Sequence, residues 1–228
     1  MDKYALIITC EHAGNTVPDA YNHLFKGADD VLNSHRGWDP GAIETAQTIS
    51  DKLQVPFFKC QATRLLVEAN RSLFSTSLFS EYSGALTIDE REEVLNQYYY
   101  PHRSSVEHWI SEATMPVLHI SMHTFTPVFQ NITRTVDIGL LFDPSRVNES
   151  IFCRKCNVVL TDRLPDLSIK FNEPYRGIDD GFTSYLRTIF PDERYSGVEI
   201  EVSQKFNGTD TREEIALALT DSLTNFLK

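Results

Sequence analysis

His12 and His123 each stand where an apolar run gives way to small and polar residues. The two runs are Leu6-Ile7-Ile8-Thr9-Cys10-Glu11-His12-Ala13-Gly14-Asn15 and Val117-Leu118-His119-Ile120-Ser121-Met122-His123-Thr124-Phe125. An imidazole at the end of a buried strand is well placed to hold a metal ion at the mouth of a sheet. The segment His35-Arg36-Gly37-Trp38-Asp39-Pro40-Gly41-Ala42 offers a third ligand, with Asp39 as first choice and His35 next. Asp before Pro is also an ordinary helix N-cap, so the two carboxylate oxygens would have to divide that work. Two histidines and one carboxylate with an open fourth position make the ligand set of many catalytic zinc sites, and hydrolysis is the chemistry they suit.

Acids and arginines accompany these candidates. Glu199 and Glu201 lie two apart in Gly197-Val198-Glu199-Ile200-Glu201-Val202. On a strand they share one face, with Val198, Ile200 and Val202 on the other. Either is a candidate general base; the alternative is an exposed edge strand with a polar face. Arg64 and Arg71 flank Leu65-Leu66-Val67-Glu68-Ala69-Asn70. Fully extended, that stretch would separate them by about 23 Å, so the chain must bend near Ala69-Asn70 if both are to meet one small molecule. His119 and Ser121 alternate with Leu118, Ile120 and Met122, which assigns His119 to His123's face as a structural residue. Likewise Leu6, Ile8, Cys10 and His12 share a face, and Glu11 points the other way.

Strand patterns cover Tyr4–Cys10, Pro56–Cys60, Arg64–Glu68, Val117–Met122, Asp137–Phe142 and Val198–Val202, several of them near-continuously apolar or β-branched. Helical spacing follows Asp39-Pro40 through Ile43, Ala46, Ile49 and Leu53, with Pro40 suited to the first helical position. Thr87-Ile88-Asp89-Glu90 reads as a capping box opening a long helix to Ile110, which Pro101 should kink or split. Asp210-Thr211-Arg212-Glu213 opens a C-terminal helix in the same manner. Strands interleaved with helices predict a three-layer α/β/α domain with a mainly parallel sheet, its ligands beyond the carboxyl ends of the strands.

With 228 residues, 41% of them apolar, the chain can bury a large core, and a single domain over 1–228 is the simplest division. No apolar run approaches the roughly 20 residues a membrane helix needs. The segment after Met1 reads as a core strand and not a secretion signal, so the expected location is cytoplasmic. A net charge of −11 without a dense basic cluster argues against nucleic acid. It also means that an anionic substrate must be captured by arginines in the pocket itself. Cys153 and Cys156 form a C-x-x-C in a helical segment without a second pair, read as structural. Cys10 and Cys60 are read as core residues.

Together these segments resemble the N-formylglutamate amidohydrolase family. The resemblance rests on Thr9 to Asn15 with Val17-Pro18, His35 to Ala42, Arg64-Leu65-Leu66-Val67 with Asn70-Arg71-Ser72, and His119 to Pro127. It continues through Asp137 to Pro144, Asn172-Glu173-Pro174-Tyr175-Arg176-Gly177, and Glu199-Ile200-Glu201-Val202. That family is similar to the zinc carboxypeptidases and aspartoacylases, which implies a phosphorylase/hydrolase-like α/β/α fold with a central mixed sheet. The resemblance implies His12 and His123 as ligands of a zinc or other divalent ion, and Glu201 as the carboxylate acting on the hydrolytic water. It also implies that Arg64 polarises the scissile carbonyl and that Asn70 and Arg71 clamp a substrate carboxylate. Arg134 and Arg176 are candidates for a second carboxylate. One departure is that those relatives carry a glutamate three residues after the first histidine, where this chain has Asn15; Asp39 is chosen in its place. The implied partner is a small anionic N-acyl amino acid, with N-formyl-L-glutamate as type substrate. A related deacylase or carboxypeptidase is the first alternative, and a non-catalytic module binding acidic ligands is the second.

Overall fold

Val117–Phe125 is buried at all nine positions, as a strand covered on both faces must be. The computed structural model, which describes residues 4–227, places it inside a six-stranded sheet. In chain order the first half contains β1 (Ala5–Cys10), α1 (Asp29–Leu32), α2 (Ala42–Leu53), β2 (Phe57–Lys59), α3 (Ile88–Val94) and α4 (Tyr100–Glu112). Then come β3 (Val117–Phe125), β4 (Val128–Phe129), β5 (Ile132–Thr133), β6 (Ile138–Leu141) and α5 (Val147–Arg163). The chain closes with β7 (Ile169–Phe171), α6 (Phe182–Ile189), β8 (Tyr195–Ser203) and α7 (Asp210–Leu227).

The sheet order is β2-β1-β3-β8-β6-β7. The first four strands are mutually parallel, and β6 turns antiparallel against β8. The two sets of alternating side chains on the strands enter different layers. Leu6, Ile8, Leu118, Ile120, Met122, Val198, Ile200 and Val202 join residues of α2, α5 and α7 in the larger core. On the other face Ile7, Val117 and Tyr195 meet Val106 and Ile110 of α4 and Phe182 and Leu186 of α6. The fold is therefore the expected three-layer α/β/α arrangement, with a mixed, mostly parallel sheet. Among the described residues no helix is long and apolar enough to cross a membrane.

Local expectations fare unevenly. The run Arg64–Glu68 is a turn, not a strand: Leu66 donates its N–H to Thr63 O at 2.9 Å. Its apolar residues plug a third core, with Tyr21, Phe25, Leu78, Leu86, Val94 and Tyr99, beneath the long β2–α3 connection. Apolarity alone does not tell such a plug from a strand. Nor does α2 start at Pro40; its N-cap is Gly41, in the left-handed region at φ 92°. The capping box at Thr87 is present. The predicted break near Pro101 takes the form of a π turn over Leu95–Tyr99. The short strands β4, β5 and β7 carry no clear sequence pattern. Cys153 and Cys156 are buried and free in α5, as are Cys10 and Cys60 in their own places.

β8 is longer than its neighbour. β6 pairs only with Glu199 to Val202, so the backbone of Tyr195 and Gly197 faces no strand on that side. Side chains take over there. Gly197 N–H donates to Glu149 Oε1 at 3.0 Å, Gly197 O accepts from Arg187 at 2.8 Å, and Tyr195 O accepts from Arg146 at 2.7 Å.

Candidate functional site

β1, β3 and β8 lie side by side and parallel, so their carboxyl ends open in one direction and the loops beyond them meet. His12 follows β1 by two residues, in a turn pinned by Ala13 N–H to Cys60 O at 3.0 Å. Gly14 passes so close to Gln61 that a Cβ there would stand 2.9 Å from its carbonyl oxygen. Asp39 arrives from the loop before α2, its N–H bonded to His12 O at 3.1 Å. Because α2 is capped without it, the Asp39 carboxylate is released for other work. His123 sits near the end of β3, in register with Glu201 on β8.

Three donor atoms converge. His12 Nδ1 and His123 Nδ1 are each 3.1 Å from Asp39 Oδ2, and 3.2 Å from one another. A tetrahedral ion with bonds of about 2.0 Å spaces its donors by roughly 3.3 Å, so the set fits a divalent metal. The remaining ring nitrogens face oxygen atoms. His12 Nε2 lies against Glu68 Oε1, and His123 Nε2 lies 2.8 Å from Ser121 Oγ and 3.2 Å from Glu11 Oε2. With a metal ion in place of the Nδ1 protons, both rings would keep their protons on Nε2 and offer Nδ1, as metal-binding histidines backed by carboxylates do. The His-Asp-His group could therefore bind a metal ion.

The charges around the group reinforce one another. Burial and Arg64 push His12 down, yet Glu68 and Asp39 prevail and hold it above its ordinary value. His123 is likewise depressed by burial but raised well above the usual range by Asp39 and Glu11. Burial raises Asp39 and Glu68, and their cationic neighbours more than reverse it, leaving both below the carboxylate range. Glu201 behaves differently: burial, opposed by His123 and supported by Asp39, pushes it up to about 7. Its Oε2 is buried with no hydrogen-bond partner among the described residues. Glu199, by contrast, accepts a 2.6 Å bond from Thr183.

A cavity of about 190 Å³ opens over this group, lined among others by Arg64, Asn70, Arg71, Arg176, Glu199 and Glu201. The chain does bend as the two-arginine argument requires. Arg64 pairs with Glu68 Oε2 at 2.6 Å and Asp39 Oδ1 at 3.1 Å. Arg71 donates to the carbonyls of Asn70 and Asp180, at 3.0 and 2.8 Å, and forms no ion pair among the described residues. Asn70 Oδ1 accepts from Phe182 N–H at 2.6 Å, which leaves its NH₂ group for the cavity. Arg176 reaches the cavity from the β7–α6 loop, whose base is held by Asn172 Oδ1 accepting from Phe142 and Gly177 N–H at 3.1 and 2.8 Å.

Other candidates lie elsewhere. Arg134 does not line the cavity; it stacks on Phe125, Phe129 and Tyr175 and bonds the Tyr175 hydroxyl at 3.1 Å. His35 is exposed and outside the donor triangle. His119 bonds Thr9 and Tyr195 at 2.8 and 2.7 Å within the sheet. β8 is an inner strand, so its acids are not those of an exposed edge. Sequence reasoning missed Glu11, Glu68 and His102, the groups behind the two imidazoles. Glu68's position four residues after Arg64 was the available signal.

Three solved structures illustrate the likeness. A gene product from Agrobacterium tumefaciens is 27% identical, covers 100% of this chain and 93% of its own, and superposes with a TM-score of 0.82. The N-acetylmuramoyl-L-alanine amidase from Clostridium difficile shares the fold at 11% identity and a TM-score of 0.50, with 100% and 98% covered. A metallo-carboxypeptidase from Burkholderia cenocepacia is more remote, at 11% identity and a TM-score of 0.43, with 98% and 57% covered. No curated protein sequence matches the chain. The sequence pattern of the N-formylglutamate amidohydrolase family matches residues 4–206, nearly the whole length that builds the sheet and the cavity. The chain thus belongs to the N-formylglutamate amidohydrolase family, a family of amide-bond hydrolases.

Proposed function

We propose that the protein hydrolyses the amide bond of a small N-acyl amino acid, with N-formyl-L-glutamate as type substrate, at a zinc ion held by His12, Asp39 and His123. The observation that carries the reading is the convergence of two Nδ1 atoms and one carboxylate oxygen at 3.1–3.2 Å beside an unpartnered Glu201. A divalent ion bound there supplies Lewis-acid polarisation and a lowered pKa for water. Glu201, with a pKa of about 7, takes the proton of the attacking water and returns it to the leaving amine. Arg64 donates Nε–H to Glu68 and Nη1–H to Asp39, and its remaining N–H groups serve the carbonyl oxygen. A donor of that kind is worth about 3–4 kcal/mol in the transition state.

Arg71 and the Asn70 amide hold the substrate's α-carboxylate, for which a guanidinium fork is the matching shape. Arg176 meets a second carboxylate from the loop. Arg134, stacked against Tyr175, braces that loop. The products are formate and glutamate for the type substrate. The deciding experiment joins elemental analysis with a formate-release assay on N-formyl-L-glutamate and a panel of other N-acyl amino acids. About one divalent ion per chain with metal-dependent formate release is expected. A chain that takes up no metal and cleaves none of the panel would overturn the proposal. Cleavage of another acyl amino acid alone would reassign the substrate to a related deacylase.

A further inference from the structure

The two imidazoles of the site are braced from behind in different ways. Glu68, behind His12, is held by Arg64. Glu11, behind His123, is fully buried and is held by two groups: Ser121 Oγ donates to its Oε2 at 2.6 Å, and His102 Nε2 lies 3.2 Å from its Oε1. His102 comes from α4, immediately after the π turn, and packs against Phe182 with ring centroids 5.8 Å apart. Among the described residues no other group donates to Glu11 Oε1. A buried carboxylate oxygen stripped of its donor would turn to find another.

We propose that His102 is a positioning residue for the metal centre: its Nε2–H fixes Glu11, and Glu11 with Ser121 sets the His123 ring with Nδ1 facing the ion. The inference rests on the metal reading of His12, Asp39 and His123. The other edge of His102 has a different outlook. The residue lines an open groove of about 460 Å³ with Phe58, Lys59, Gln61, Tyr98 and Pro101, and its Nδ1 has no hydrogen-bond partner among the described residues. The two ring nitrogens are therefore unequal, and only Nε2 bears on the site.

That inequality gives the test. Glutamine can place an amide N–H near the position of Nε2, whereas the shorter asparagine imitates only Nδ1. Zn²⁺ affinity would be measured on the full chain by chelator competition, with thermal unfolding in parallel, for wild type, His102→Gln and His102→Asn. The expected result is a loss of about 10–100-fold for His102→Asn, the usual effect of removing such a brace, and near-wild-type binding for His102→Gln. A space-filling role would weaken both variants alike, and that outcome, or no loss in either, overturns the proposal. Should His102→Asn fail to fold, His102→Phe serves instead, since it keeps a ring against Phe182 but removes the Nε2 donor: a loss of about 10–100-fold is expected, and unchanged affinity overturns the proposal. Wild-type protein that takes up no stoichiometric Zn²⁺ removes the metal reading itself, a failure distinct from normal uptake with unchanged variants.

Discussion

Glu149 and Glu201 are both buried carboxylates beside β8, Glu201 on the strand and Glu149 reaching it from α5. Glu149 is fully engaged: Oε1 accepts from Arg187 at 2.9 Å and Gly197 N–H at 3.0 Å, and Oε2 from Asp143 N–H at 2.9 Å. Glu201 Oε2 has nothing, although the imidazoles and the carboxylate of the donor triangle are its neighbours. The contrast separates two uses of buried charge. A carboxylate that serves the fold finds its partners within the chain. One proposed to serve chemistry, as Glu201 is, is left short of partners, and something from outside completes it.

Substitution should divide the two acids cleanly. The largest effect is expected from Glu201→Gln, which should lower turnover by about 10²–10⁴-fold while metal content and unfolding temperature stay near wild type. Steady-state kinetics with elemental analysis would show it, and full activity would remove Glu201 from the reaction. Glu149→Ala should do the reverse. It leaves Arg187 buried without its anion and is expected to destabilise the fold by about 3–5 kcal/mol, read from urea unfolding, with metal content per folded chain unchanged.

Arg71→Ala sits between these extremes. Losing a charged clamp worth about 1.5–3 kcal/mol should raise KM roughly tenfold or more with kcat little altered. An unchanged KM would free Arg71 from the substrate. The gentlest probe is pH. Glu201 is a base only when deprotonated, so kcat/KM should climb through about pH 7 and fall about tenfold per unit below it. The sign for stability is opposite, because a carboxyl raised from 4.5 to about 7 favours the folded state at low pH and loses that contribution as pH rises between those values. A flat rate profile from pH 5 to 8 would place the base elsewhere.

Much of the donor triangle was readable because strand endings are readable. His12 and His123 follow apolar runs whose alternation also placed Leu118, Ile120 and Met122 correctly in the opposite layer. Asp39 was ambiguous for a local reason: whether it capped α2 depended on where the helix began, and Gly41 decided that through its backbone. The run Arg64–Glu68 was misread because a hydrophobic plug and a buried strand have the same composition. Glu11 and His102 were invisible for a different reason. They stand 91 positions apart, and no short-range pattern reports a contact between a turn and a distant helix.

The shortness of β6 carries a consequence beyond this site. Replacing a buried ion pair by well-packed apolar side chains is often harmless in proteins. Here it would strip hydrogen bonds from the buried, strandless flank of Gly197, because Glu149 and Arg187 act as a substitute for ladder that β6 does not extend far enough to supply. Their charges are thus tied to strand length. A chain of this fold whose β6 ran two residues further would carry its own pairing there, and would be free to lose both.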